Sequence, residues 1–230
     1  MRPTNPRRKD AECAEYLASL ILYNLRVLVG DLPPGEKWRT FELKALALRD
    51  FAGVKPDFPL DPFELARFAN LIVVNFDQIN DLSEGAREHL LGAAADAWSG
   101  GACTLPNGMK LVILNPNHGR TRTNATLMEE ICHVFLGHEP NRLSVVTKDE
   151  LGRVLNRDYR KADEEAAYGV GAAALVPFRV LKKFVYTGKT SAEIARHFRV
   201  SRELVEYRLK VTRLWADYKS ANTPASENQL

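Results

Sequence analysis

The order of hydrophobic periodicities along this 230-residue chain predicts an α+β fold, rich in helix, with a small β-sheet in its middle. Three observations carry that expectation. Helical-period segments occupy both ends of the chain, and a strand-length apolar run and a hairpin pattern stand between them. With 45% hydrophobic and 27% charged residues, the composition is that of a globular protein long enough to bury a core. No apolar run approaches the roughly 18 residues needed to cross a bilayer, and the N-terminus lacks the layout of a signal peptide. Cys13, Cys103 and Cys132 form no ligand-spaced pair and are odd in number. A cytoplasmic protein with no membrane partner is therefore expected.

The first helix is expected over residues 10–28, where Leu17, Leu20, Ile21, Leu25 and Leu28 recur near helical spacing, and the Gly/Pro-rich residues 30–35 stop it. A second runs over 41–51 and ends at Gly53. Asp61-Pro62 has the form of an N-cap followed by proline at the first helical position, opening a short helix over 62–69. Residues 71–76, Leu-Ile-Val-Val-Asn-Phe, make a strand. Ser83 caps a helix over 84–95. Residues 97–104 and 109–114 then form a hairpin about the turn Leu105-Pro106-Asn107-Gly108. Another helix starts near Thr123 or Asn124, and a small-residue-rich helix follows Asp163-Glu164-Glu165 and stops at Pro177. The expected organisation is N-terminal helices over 1–58, a central domain over 59–178, a basic helical module over 179–219 and a frayed polar tail over 220–230.

The most informative stretch is Met128-Glu129-Glu130-Ile131-Cys132-His133. In a His-Glu-x-x-His helix the two histidines hold a metal from one face, and the glutamate beside the first acts as general base. Here Glu129 stands at the first histidine position, while Glu130 and His133 keep the base and second-ligand positions. A helix turns about 100° per residue, so 129 and 133 point within about 40° of each other. A third donor must come from elsewhere, and Asp163-Glu164-Glu165 is the best source, because the small residues after it allow two helices to approach closely. His138, about 140° round from His133, is off the ligand face unless the helix ends, and suits a C-terminal cap. His118 belongs to a loop, and Cys132 to the core.

The run from Arg122 to His138, containing Thr126-Leu127-Met128-Glu129-Glu130-Ile131-Cys132-His133 and Leu136-Gly137-His138, resembles the active-site helix of ImmA/IrrE-type metallo-endopeptidases. Trp98-Ser99-Gly100, Ile113-Leu114-Asn115-Pro116, Glu165-Ala166 and Leu175-Val176-Pro177 extend the resemblance over residues 61–177. It implies a zincin-like, gluzincin-type fold, a bound zinc, and limited cleavage of a partner protein, commonly a transcriptional repressor in a stress or mobile-element switch. It further implies Glu130 as base and Glu129, His133 and Glu165 as ligands, with Glu164 as the alternative third ligand because spacing from Pro177 leaves the register open. The edge strand of such peptidases binds extended substrate by main-chain hydrogen bonds, which marks Trp98, Ser99 and Gly100. A Glu-His-Glu set carries one more negative charge than His-His-Glu, which weakens the ion as a Lewis acid and lets manganese or iron compete with zinc.

Residues 190–205 have the layout of a helix-turn-helix. Ser191 is the expected cap, Ala195 the small crossing residue, and Arg199 stands where the turn commonly has glycine. From 178 to 219 there are eleven Lys or Arg against four Asp or Glu, in a chain whose net charge is only +3. Arg202, Glu206 and Arg208 are the expected contacts if the second helix enters a DNA major groove. Two functions are thus in view: a metal-dependent endopeptidase, and a catalytically degraded regulator acting through protein or DNA binding.

Overall fold

Phe41, Ala45 and Leu48 recur at helical spacing and form the buried stripe of α1 (Glu36–Phe51), which starts as soon as Pro33-Pro34-Gly35 permits, earlier than the expected Phe41. The structure, a computed structural model, describes residues 31–80, 83–138, 147–148, 154–156 and 161–223. The helix expected over 10–28, Cys13 and the tail from 224 onward lie outside the described residues. In α2 (Pro62–Phe68), Asp61 caps as expected, its carboxylate accepting from the Phe63 amide at 2.9 Å.

The sheet holds β1 (Ile72–Asn75), β2 (Gly100–Thr104) and β3 (Lys110–Leu114) in the order β1-β3-β2. β1 runs parallel to β3, with Ile72 opposite Leu111, while β2 is antiparallel, with Gly100 opposite Leu114, so β2 forms an edge. The hairpin closes at Gly108, whose φ of 83° is the left-handed geometry that favours glycine.

The helix expected over 84–95 departs from its pattern. α3 (Glu84–Glu88) widens into a π turn over His89–Ala93 and ends in a 3-10 turn over Ala95–Ala97. Two side chains explain the break. The Trp98 indole N–H donates to the Leu90 carbonyl at 2.9 Å, and Asn115 Nδ2 donates to the carbonyls of Ala95 at 2.6 Å and Trp98 at 3.0 Å. These bonds satisfy carbonyls that a regular helix and strand would have paired, and they delay β2 to Gly100.

α4 (Arg120–Phe135) begins before Thr123, whose hydroxyl turns back to the Gly119 carbonyl at 3.3 Å inside the first turn. α5 (Lys161–Leu175) packs against α4 and α1 more extensively than any other helices do among the described residues. Small residues permit this closeness: a Cβ on Gly169 would sit 2.5 Å from the Phe41 ring, and one on Gly171 would just touch Met128 and Cys132. A two-stranded pair, β4 (Thr147–Lys148) and β5 (Val154–Asn156), lies between α4 and α5 in sequence and has no clear signal in the residue pattern.

The C-terminal part comprises α6 (Phe178–Tyr186), α7 (Ser191–Phe198), α8 (Arg202–Val211) and α9 (Trp215–Asn222), the last running into residues expected to fray. Thr190, not Ser191, caps α7: its hydroxyl accepts from the Glu193 amide, and the Glu193 carboxylate accepts from the Thr190 amide at 2.8 Å. Arg199 takes the left-handed turn geometry, φ 58° and ψ 40°. Leu181, Ile194, Phe198, Val205 and Leu209 join one apolar cluster with Leu48, Leu127 and Val170, so the basic segment shares the core of α1, α4 and α5.

Two buried arginines bind this core together. Arg208, 0% exposed, donates to Glu42 on α1 at 2.5 Å and to the Val176 carbonyl at 3.0 Å; the other Glu42 oxygen accepts from the Phe178 amide at 2.6 Å. Arg49 donates to the carbonyls of Ala174 and Lys55, each at 2.6 Å, and of Phe58. Arg208 therefore cannot be a DNA contact, because its guanidinium is enclosed and its charge is spent on Glu42. Arg202 remains exposed, 3.5 Å from Glu206.

Candidate metal centre

Glu129, Glu130 and His133 flank the face of α4 that buries Met128, Ile131 and Cys132 against the core. That packing fixes the helix rotation. The one-turn offset then turns Glu129 and His133 to the first turn of α5, where Glu164 meets them. One donor atom from each of Glu129, His133 and Glu164 lies within 4.8 Å of the others, and His133 Nε2 is 3.4 Å from Glu164 Oε2. An ion with bonds near 2.1 Å in tetrahedral geometry needs donors about 3.4 Å apart, so one pair already has that spacing.

Glu165 is a correction. The residue that matched the family pattern by its following alanine points instead to α1, where the Lys37 ammonium donates to its carboxylate. One residue is 100° of helix, enough to exchange a site for a surface ion pair.

The electrostatics of the cluster are those of crowded, poorly hydrated carboxylates. Burial, then the Glu164 charge, pushes Glu129 up to about 7; burial, then Glu129 and Glu164, pushes Glu130 up to about 7. A divalent cation would relieve both effects. Two carboxylates and an imidazole also make an acceptable donor set for zinc, manganese or iron, so the residues present fit a metal.

One nearby residue, Tyr168, escaped the sequence reading: it lies one turn after Glu164 on α5, and burial followed by the Glu129 charge raises its hydroxyl pKa. His138, expected off the ligand face unless the helix ends, lies just past that end. α4 ends in a Schellman turn: the Gly137 amide bonds to the Val134 carbonyl at 3.1 Å and the His138 amide to the His133 carbonyl at 2.9 Å, with Gly137 at φ 70°. The turn brings His138 Nδ1 to 3.1 Å from His133 Nδ1. The signal was the Leu-Gly-His triplet, in which glycine at the left-handed position sends the chain back along the helix.

The other expected residues are placed as follows. The Trp98 indole is engaged by Leu90 and its ring meets Phe76 edge to face at 5.4 Å, so Trp98 supports the loop instead of presenting a polar atom to substrate. Ser99 Oγ accepts from Arg122 at 3.0 Å. Gly100 starts the edge strand where it crosses α4, and a Cβ there would fall 2.7 Å from Thr126 Cγ2, one turn before Glu129. Cys132 is buried with its thiol pKa raised, chiefly by burial. His118 has both ring nitrogens enclosed with no hydrogen-bond partner among the described residues.

Residues 89–210, more than half of the chain, match the family model of the IrrE N-terminal-like domain, peptidase family M78. The chain belongs to that family. The match takes in the edge strand, all of α4, Glu164 and the helices through Arg208. A separate search of curated proteins finds no match to the chain. A metallopeptidase-like domain with a candidate metal site is thus what family and geometry support together. No helix among the described residues is long and apolar enough to cross a membrane.

Proposed function

We propose that this chain is a metal-dependent endopeptidase of ImmA/IrrE type, with a zincin-like active site on α4 and α5. The observation that carries the reading is the convergence of Glu129, His133 and Glu164 beside Glu130, whose proton affinity lies near neutrality. Glu129, His133 and Glu164 would hold a divalent ion, which would supply Lewis acidity toward the scissile carbonyl and a water molecule. Glu130, next to Glu129 on α4, does the proton work: its carboxylate takes a proton from the attacking water and returns it to the leaving amine. The outer edge of β2, unpaired among the described residues, aligns an extended segment of the substrate by main-chain hydrogen bonds, with Gly100 keeping the strand close to the helix that carries Glu129. The substrate class is a partner protein, with a transcriptional repressor as the leading expectation from the family resemblance.

The charge of Glu129 favours a second reading. Glu129 and Glu164 place two carboxylates beside the His133 imidazole, and the Glu130 carboxyl feels the charge of both. This composition suits manganese or iron and a slower peptidase, and at its limit a degraded regulator that binds its partner without cleaving it. Metal analysis separates the outcomes. The wild-type chain is expected to take up one equivalent of zinc or manganese and His133→Ala none; negligible uptake by both would sink the metal site. With an unfolded protein as substrate, Glu130→Gln should keep its metal and lose about 100-fold or more of the hydrolysis rate. Hydrolysis that appears only in Glu129→His would mark the native chain as the degraded regulator.

A further inference from the structure

His133 has two ring nitrogens with different surroundings. Nε2 faces Glu164 and the candidate centre, and Nδ1 faces His138 Nδ1 at 3.1 Å. A hydrogen bond at that distance holds one proton, so one imidazole donates and the other accepts. The side chains are only 19% and 13% exposed, which leaves little water to substitute for the partner. The rings meet edge to face, 5.1 Å between centroids, and the Gly137 turn holds His138 there through backbone bonds of its own.

Resting on the metal-site reading above, we propose that His138 is a positioning residue: it accepts the Nδ1 proton of His133 and so leaves the His133 Nε2 lone pair free to bind a metal. A neutral imidazole that gives its Nε2 lone pair to an ion must carry its proton on Nδ1, and the partner of that N–H sets ring orientation and ligand basicity. His138 can accept only when its own proton is on Nε2. That nitrogen lies 3.8 Å from Asp163 Oδ1, whose negative charge favours a proton there. Asp163, His138 and His133 thus form a chain polarised toward the centre, in which α5 supplies both a ligand, Glu164, and the carboxylate behind the second histidine. Glu164 pulls the other way, drawing a proton to His133 Nε2. An ion seated between His133 and Glu164 removes that pull, and His138 then decides the tautomer.

The test uses the full chain and zinc. In competition with a chromophoric chelator, His138→Ala should weaken zinc binding about 10–100-fold, while His138→Asn, whose amide oxygen replaces the Nδ1 acceptor, should stay within about threefold of wild type. Long-range proton–nitrogen spectra should show His133 protonated at Nδ1 in the zinc-loaded chain. Unchanged affinity in His138→Ala overturns the proposal. So does equal loss in the alanine and asparagine variants, which would mark a packing effect. If the wild-type chain binds no zinc, the metal reading falls separately, and the metal-free spectra decide this one. A changed His133 tautomer ratio in His138→Ala sustains it, and an unchanged ratio overturns it.

Discussion

Glu129 and Glu130 hold their protons to about pH 7, whereas in an unfolded chain they would release them near 4.5. Between those values the folded, metal-free protein carries protons that the unfolded chain has lost, so stability falls as pH rises through the window. Urea midpoints of the metal-free chain should therefore decrease from pH 5 to pH 8, and zinc or manganese should restore them at pH 8. Glu129→Gln removes the charge that is costly there and should raise metal-free stability at pH 8 by roughly 1–2 kcal/mol, while weakening metal binding. A variant less stable than wild type at that pH would contradict the crowding of carboxylates around His133. The neighbouring pair on α5 separates by the same logic. Glu164→Ala should abolish metal uptake, and Glu165→Ala should leave it intact and cost under about 1 kcal/mol, because its partner Lys37 is a surface group. Dialysis followed by metal analysis distinguishes the two.

At the scale of elements, the centre depends on how closely α5 approaches α1 and α4. Gly169 lies under the Phe41 ring, where an added methyl has no room, and Gly171 lies against Met128 and Cys132 at ordinary contact distance. Gly169→Ala should cost about 1–3 kcal/mol through overpacking, despite the better helix propensity of alanine. Gly171→Ala should be neutral or stabilising by up to about 1 kcal/mol. Thermal and urea unfolding of the two variants would show whether α5 is seated by steric fit at one glycine; equal effects at both would argue against it. The α4 terminus has a comparable role. Its turn at Gly137 stops the helix and also returns His138 over His133, so a capping device contributes to the site.

For the whole molecule, the buried pair Glu42–Arg208 joins the first described helix to the basic C-terminal segment, with Val176, just past α5, and Phe178, the first residue of α6, held between them. Burial raises the Glu42 pKa, and Arg208 opposes that shift. Arg208→Met leaves a buried carboxylate unpaired and should cost about 3–5 kcal/mol, whereas adding Glu42→Gln should recover a large part of the loss. A cost under about 1 kcal/mol for the single variant, measured by urea unfolding, would show that the pair is not what joins the two ends. Much of this protein was legible in its residues one segment at a time. The Asp61-Pro62 start, the strand at 72–75, the Gly108 hairpin, the left-handed Arg199 and the shared face of Glu129 and His133 all follow from rules that act within a few residues, and the α+β order follows from their succession. The site was legible only as far as α4. Which of Glu164 and Glu165 faces it depends on the rotation of α5, and that is set by glycines fitting neighbours from distant segments. The burial of Arg208 depends likewise on what lies opposite. Local sequence determined which side chains share a helix face; the packing of α1, α4 and α5 decided what each face meets, because side-chain direction changes by 100° per residue while the contact that selects it comes from elsewhere in the chain.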